Sequence, residues 1–303
     1  MTYRKHVPGR IPILGIPVDA LTRAEVLARC ADALGGERLL HIVTANPEIL
    51  LQARRDRTYT SILQHADLVV ADGVGVLLAA RLFGQRFPER IPGVELLVGL
   101  CRLAVGEGPT SPTGFAGQAP LRPPNVAQPP PRLRPAGKAS RDEPGFAGQG
   151  RRVYFLGGWS GVAEKAARRL HERIPGLDAR AFAPDHAAEE SPTALWDELR
   201  AFRPTVLFVA YGAPKQEEWI SKHREQLERF GVRVAMGVGG AFDTLSGKHP
   251  RAPRWIRAIG VEWLWRLVLE PHRFLRIVRA TVLFPATVVR DRWYRYAGLL
   301  RQS

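Results

Sequence analysis

The residues best suited to chemistry in this 303-residue chain each follow a short apolar run and precede a helix-like segment. Asp72 stands in Val69-Val-Ala-Asp-Gly73, where a glycine permits a sharp turn. A carboxylate so placed fits two readings. It can take the proton of a hydroxyl that attacks an electrophilic carbon, or it can cap the helix that follows. Thr44 and Asn46, ahead of Pro47, end another run. Their side chains can bond a sugar or a phosphate at a helix N-terminus, which favours anions, or they can serve as caps alone. Arg90, in Pro88-Glu-Arg-Ile-Pro-Gly93, can clamp a diphosphate or sit solvated at the surface.

Three glycine-rich turns add phosphate-binding character. Phe155-Leu-Gly157-Gly158-Trp-Ser-Gly161 and Met236-Gly237-Val-Gly239-Gly240 approach the dinucleotide fingerprint G-x-G-x-x-G, but neither completes it. Two such near-misses favour turns for a nucleotide diphosphate over a full NAD site. In Tyr211-Gly212-Ala-Pro-Lys215-Gln216-Glu217 the proline suits a first helical turn, which sets Lys215 and Gln216 at a helix N-terminus for a diphosphate or base contact. No Asp-x-Asp pair for a divalent metal occurs, so no metal and no cofactor is expected, and arginines and helix N-termini would have to neutralise a leaving diphosphate. P-loop, serine-elbow and zinc-ligand spacings are also absent, and the isolated His186 and His249 are read as surface residues.

The elements that must hold these residues alternate. Leu39–Val43, Ala66–Val70, Val153–Leu156, Thr205–Val209 and Val232–Met236 are apolar runs of strand length. Amphipathic segments Arg23–Leu34, Gly161–Arg173 and Lys215–Phe230 lie between them. That order predicts an α/β fold, a Rossmann-like parallel sheet with helices on both faces. Ligands of such sheets bind at the carboxyl ends of the strands, where Thr44, Asn46, Asp72, Gly157, Gly158, Gly212 and Gly239 would gather. Residues 106–150 hold 10 Pro and 8 Gly in 45 positions, too little apolar surface to offset ordering entropy. The organisation expected is therefore one α/β domain over 1–105 and 151–250, a disordered insertion over 106–150, and a helical appendage over 251–303. The appendage has 11 Arg against 3 acidic residues, giving +8 of the net +15. Its cations and tryptophans fit an anionic membrane surface better than nucleic acid. Cys30 and Cys101 have no partner at metal-ligand spacing and are expected as buried thiols of a reduced, cytoplasmic protein. No uncharged run reaches the roughly 18 residues of a spanning helix.

Together with Asp243-Thr-Leu-Ser-Gly-Lys-His-Pro-Arg-Ala-Pro-Arg254, Glu262-Trp263-Leu-Trp-Arg266 and Glu270-Pro271-His-Arg273, these motifs resemble the WecG/TagA/CpsF glycosyltransferase family. Its members move an N-acetylated amino sugar from a UDP carrier onto a lipid-diphosphate-linked sugar. The resemblance implies that Asp72 is the catalytic base and that Thr44 and Asn46 contact the sugar or acceptor. It matches Arg90 to a Glu-Arg-x-Pro-Gly motif, and Gly212, Lys215, Gln216 and Glu217 to Gly-x-Pro-x-Gln-Glu. It also makes Arg251 and Arg254 available to the diphosphate. A UDP-sugar donor, a polyprenyl-diphosphate acceptor, a peripheral position at the inner face of the plasma membrane and a bacterial cell-surface polysaccharide pathway are implied with it. Oligomers are compatible with it. The insertion departs from the short link that the family has there. A NAD-dependent oxidoreductase is the alternative that the sheet pattern and glycine turns leave open.

Overall fold

The computed structural model describes residues 9–109, 151–158, 161–183, 193–247 and 278–300. Eight strands lie in one sheet: β1 (Arg10–Ile13), β2 (Ile16–Asp19), β3 (Leu40–Ala45), β4 (Leu68–Ala71), β5 (Arg152–Gly157), β6 (Asp178–Phe182), β7 (Val206–Ala210) and β8 (Val234–Gly237). Their spatial order is β1-β2-β4-β3-β8-β7-β5-β6. Every neighbouring pair is parallel except β1 with β2.

Successive residues of a strand point to opposite faces, and the core follows that rule. Ile42, Leu68, Val70, Val153, Phe155, Val206 and Phe208 face one cluster. That cluster also takes α1 (Arg23–Leu34), α5 (Gly93–Ala104), α6 (Val162–Arg173) and α10 (Ala241–Leu245). Val43, Val69 and Ala71 face the other side, against α2 (Pro47–Ala53), α3 (Arg57–His65) and α4 (Val74–Leu82). Tyr154, Leu156, Leu207 and Val209 pack there too, against α7 (Thr193–Phe202), α8 (Lys215–Lys222) and α9 (Arg224–Arg229). The sheet is thus covered on both faces, as the near-continuous apolar runs require.

Three elements differ from expectation. β1 and β2 form a hairpin whose two-residue turn, Leu14-Gly15, has positive φ at both positions, the backbone that matches the twist of the flanking strands. β6 is an edge strand with alternating polarity, Asp-Ala-Arg-Ala-Phe. The helix expected over Lys215–Phe230 breaks at His223, whose φ of −103° and ψ of 13° end α8. The ring of His223 lies 4.9 Å from both Trp196 and Trp219.

The ends of the Pro/Gly-rich segment meet. The Arg151 N–H donates to the carbonyl of Ala104 at 3.2 Å, and Arg102 pairs with Glu107 at 2.8 Å. Residues 110–150 lie outside the described residues, as do 251–277 of the appendage. The described part of that appendage is a π-helical turn, Arg279–Leu283, leading into α11 (Phe284–Leu300). Pro285 offers no N–H to the carbonyl four residues earlier and its ring crowds it; a wider turn accommodates both. Phe284 and Val288 are buried against α2 and α4.

Candidate active site

The parallel strands end along one edge, and the chemistry-bearing residues line it. Thr44 and Asn46 lie at the end of β3, Asp72 follows β4, Gly239 follows β8, Gly212 follows β7, and Gly157 and Gly158 end β5. From β4 to β5 is four strand-to-strand steps, so at about 4.8 Å per step the edge spans roughly 19 Å.

The β4/β3 end is polar. Asp72 donates its N–H to the carbonyl of Ala45 at 2.8 Å, which stitches the two strand ends together. Its carboxylate does not cap the helix that follows. Gly73, with φ +104°, occupies that cap position and no side chain bonds there. Instead the Gly93 N–H, at the start of α5, donates to Asp72 Oδ2 at 3.3 Å, so the carboxylate sits at the partially positive end of a second helix. A methyl group on Gly93 would lie 3.4 Å from Thr44 Oγ1 and 3.6 Å from Asp72 Oδ2. Thr44, Asp72 and the first turn of α5 therefore converge on Gly93, a residue that stood in the sequence only as the last letter of the Arg90 motif. The Ile91 N–H donates to Ala71 at 2.9 Å, which draws the Arg90 loop to the same strand end. The half-buried Arg90 guanidinium forms no hydrogen bond or ion pair among the described residues. Asn46 caps α2, its side-chain oxygen accepting from the Ile49 N–H at 3.0 Å. The capping reading of Asn46 is met, and its amide nitrogen is left for other contacts.

The β7/β5 end is built from glycines. Gly157 has φ +88°, and a methyl there would come within 2.8 Å of the Tyr211 ring; glycine is required for that packing. The Gly158 N–H is used within the sheet, donating to Ala210 at 3.2 Å. Gly212, at φ +76°, makes the turn into α8, where Lys215 is exposed. Gln216 and Glu217 turn inward instead. Glu217 is fully buried, accepts from Tyr59 Oη at 3.2 Å and from Gln216 Nε2 at 2.7 Å, and burial pushes its carboxyl up to about 7. Gln216 Oε1 accepts from the Gly239 N–H at 2.9 Å. The expected ligand contacts at Gln216 and Glu217 are thus, among the described residues, contacts that hold the protein's own turn. Arg251 and Arg254, like His186 and His249, lie outside the described residues.

Residues 11–121 and 145–298 match the Glycosyl transferase WecG/TagA/CpsF family. The chain belongs to that family. It is accordingly a glycosyltransferase, which removes the oxidoreductase alternative. The break between the matched stretches falls inside the Pro/Gly-rich segment. The chain is also similar to two Staphylococcus aureus proteins, of strains MRSA252 and NCTC 8325 / PS 47. Each is 28% identical over 272 residues, covering 89% of this chain and 88% of the relative. Both are named N-acetylglucosaminyldiphosphoundecaprenol N-acetyl-beta-D-mannosaminyltransferase.

In this WecG/TagA/CpsF glycosyltransferase the C-terminal helix reaches the back of the polar end. A methyl on Gly75 would lie 2.9 Å from Pro47 Cγ and 3.8 Å from the Phe284 ring. Gly75, three residues after Asp72, therefore sits between the segment that carries Asn46 and a side chain of α11. Among the described residues, no helix is long and apolar enough to cross a membrane, and no three His, Cys, Asp or Glu side chains converge as metal ligands.

Proposed function

We propose that this glycosyltransferase moves an N-acetylated amino sugar from a UDP carrier to a polyprenyl-diphosphate-linked sugar, with inversion at the anomeric carbon. The observation that carries it is the convergence of Asp72, Thr44 and the start of α5 at one end of the strand edge, beside an arginine loop. The relatives' name supplies the chemistry of the acceptor, a diphosphoundecaprenol-linked N-acetylglucosamine.

The step is a single displacement. An acceptor hydroxyl at the polar end gives its proton to the Asp72 carboxylate as its oxygen bonds to the anomeric carbon. The bond from that carbon to the UDP phosphate oxygen breaks, and UDP leaves with the electron pair. Attack from the face opposite the leaving group inverts the centre. Arg90, Lys215, Arg251 and Arg254, with the glycine turns after β5, β7 and β8, are assigned to the diphosphate, whose growing charge they neutralise without a metal.

The acceptor is lipid-borne, and the surface supports a peripheral position on an anionic membrane; that the cytoplasmic face is the one met is part of the proposal. Leu78 and Leu82 on α4 are exposed, as are Val282, Leu283, Val289 and Trp293 on the C-terminal helical segment that packs on it. Exposed Arg81, Arg279, Arg290 and Arg292 flank them. Apolar side chains among cations fit the interface of anionic lipids.

The test is a panel of UDP-sugars incubated with synthetic polyprenyl-diphosphate N-acetylglucosamine, the products resolved by mass spectrometry. A mass increase of one N-acetylhexosamine from UDP-N-acetylmannosamine is expected. Turnover confined to other donors would replace the donor assignment, and none with any donor would contradict the UDP reading.

A further inference from the structure

A fully buried carboxylate without a cation beside it is costly to keep, yet Glu217 has one neighbour on each side and both are donors. Tyr59 Oη, itself buried on α3, donates at 3.2 Å; Gln216 Nε2 donates at 2.7 Å. Whether the carboxyl is ionised or carries its proton on the oxygen toward Tyr59, the oxygen facing Gln216 accepts, and the Gly239 N–H on the other side of the amide can only donate. One orientation of the amide satisfies both; the flipped one would set oxygen against oxygen and hydrogen against hydrogen. A methyl on Gly237 would lie 2.6 Å from Gln216 Nε2 and from Glu217 Oε1, so the pair is packed flush against the last residue of β8. The chain of bonds therefore runs from α3, through the core, to the backbone of a turn at the strand edge.

We propose that Tyr59 and Glu217 are positioning residues for donor binding, which fix through Gln216 the placement of the Gly237–Gly239 turn. The proposal rests on the assignment of that turn to the UDP-sugar. Neither residue touches substrate. Glu217 holds the Gln216 amide in register, Gln216 holds the turn, and Tyr59 keeps the carboxylate from rotating away. Since α8 also begins with Lys215, a shift of this pair would displace a diphosphate contact as well.

The test uses the full chain and three variants: Tyr59→Phe, Glu217→Leu, which removes the acceptor of the Gln216 amide, and the exchanged pair Gln216→Glu with Glu217→Gln. In the exchanged pair the amide at 217 donates to the carboxylate at 216, which accepts the Gly239 N–H, so the polarity of the chain is restored. Three quantities are read: amide hydrogen exchange at Gly239 without ligand, UDP affinity by calorimetry, and transfer kinetics with UDP-N-acetylmannosamine as the varied donor. Both single variants are expected to exchange Gly239 faster and to raise donor KM and UDP Kd about tenfold, the scale of one hydrogen bond. Acceptor KM is expected unchanged and kcat within about threefold, with recovery in the exchanged pair. Unaltered exchange would overturn the proposal, and so would faster exchange with unchanged donor KM, or a fall confined to kcat. Failure of the unmodified chain to bind UDP is a separate result: it removes the donor assignment of the turn and the positioning role with it, while the exchange arm still decides whether the bond chain holds the turn.

Discussion

Asp72 and Glu217 show how the same side-chain type is put to opposite uses a few strands apart. Asp72 stays at the edge, half-buried, with a helix N-terminus on one oxygen. Glu217 is enclosed, and burial raises it from 4.5 to about 7. The sign of the consequence for stability follows from that rise. Between those values the folded chain holds a proton that the unfolded chain has released, so this group's contribution is complete below about 4.5 and is lost as pH rises through about 7. The loss is on the order of 3 kcal/mol. Thermal melts from pH 5 to 8 should therefore fall more steeply for the natural chain than for Glu217→Gln; parallel curves would show that Glu217 does not titrate in this range. Asp72, Thr44 and Asn46 were legible in the sequence because each closes an apolar run, and strand ends are where such sheets bind. Gly93 was not, because its importance is a distance to residues 21 and 49 positions away that no local pattern encodes. Gln216 was legible as a motif but not as a bond to Gly239, for the same reason.

At the scale of elements, apolar runs located five strands; four are observed one or two residues further along than the run itself, and β5 extends one residue beyond each end of its run. The offset arises because polar Thr44 and small Ala71 or Gly237 complete the ladder without adding to the hydrophobic signal. β6 escaped because an edge strand buries little and so carries no continuous apolar run. β1 and β2 escaped because Pro12 and Pro17 interrupt them, which an edge hairpin tolerates. The break between α8 and α9 falls at His223, whose ring packs against the stacked pair Trp196 and Trp219, a contact invisible to periodicity. Helix α11 was expected as part of a membrane tail, yet its Phe284 is a core residue with 1% exposure. Phe284→Ala should cost about 3–5 kcal/mol and lower transfer as well, since the ring packs at Gly75 in the first turn of α4, close after Asp72. A melt within a degree of the natural chain would show that α11 is not docked as described.

The molecule as a whole combines a parallel-sheet body, an appended basic helix and an inserted segment, and each can be probed separately. The Ala104–Arg151 bond brings the ends of the insertion together, so the described elements on either side meet without a gap for the segment to bridge. Replacing residues 108–149 with a short Gly/Ser link should leave the melting temperature within a few degrees and transfer intact, because loop closure varies slowly with length. A large loss of stability would show that the segment packs. Combining Arg290→Glu, Arg292→Glu and Trp293→Ser, all exposed positions, should leave UDP binding unchanged while abolishing sedimentation with anionic liposomes at low salt. Sedimentation equal to that of the natural chain would place the membrane contact elsewhere. The central claim is that Asp72 accepts the proton of the attacking hydroxyl, and a single-turnover assay of Asp72→Asn measures it most directly. With UDP-N-acetylmannosamine and polyprenyl-diphosphate N-acetylglucosamine, the rate should fall by about 10²–10⁴, the usual cost of a lost general base. UDP affinity and melting temperature should stay close to those of the natural chain. Turnover near the natural rate in a folded Asp72→Asn protein would contradict the mechanism.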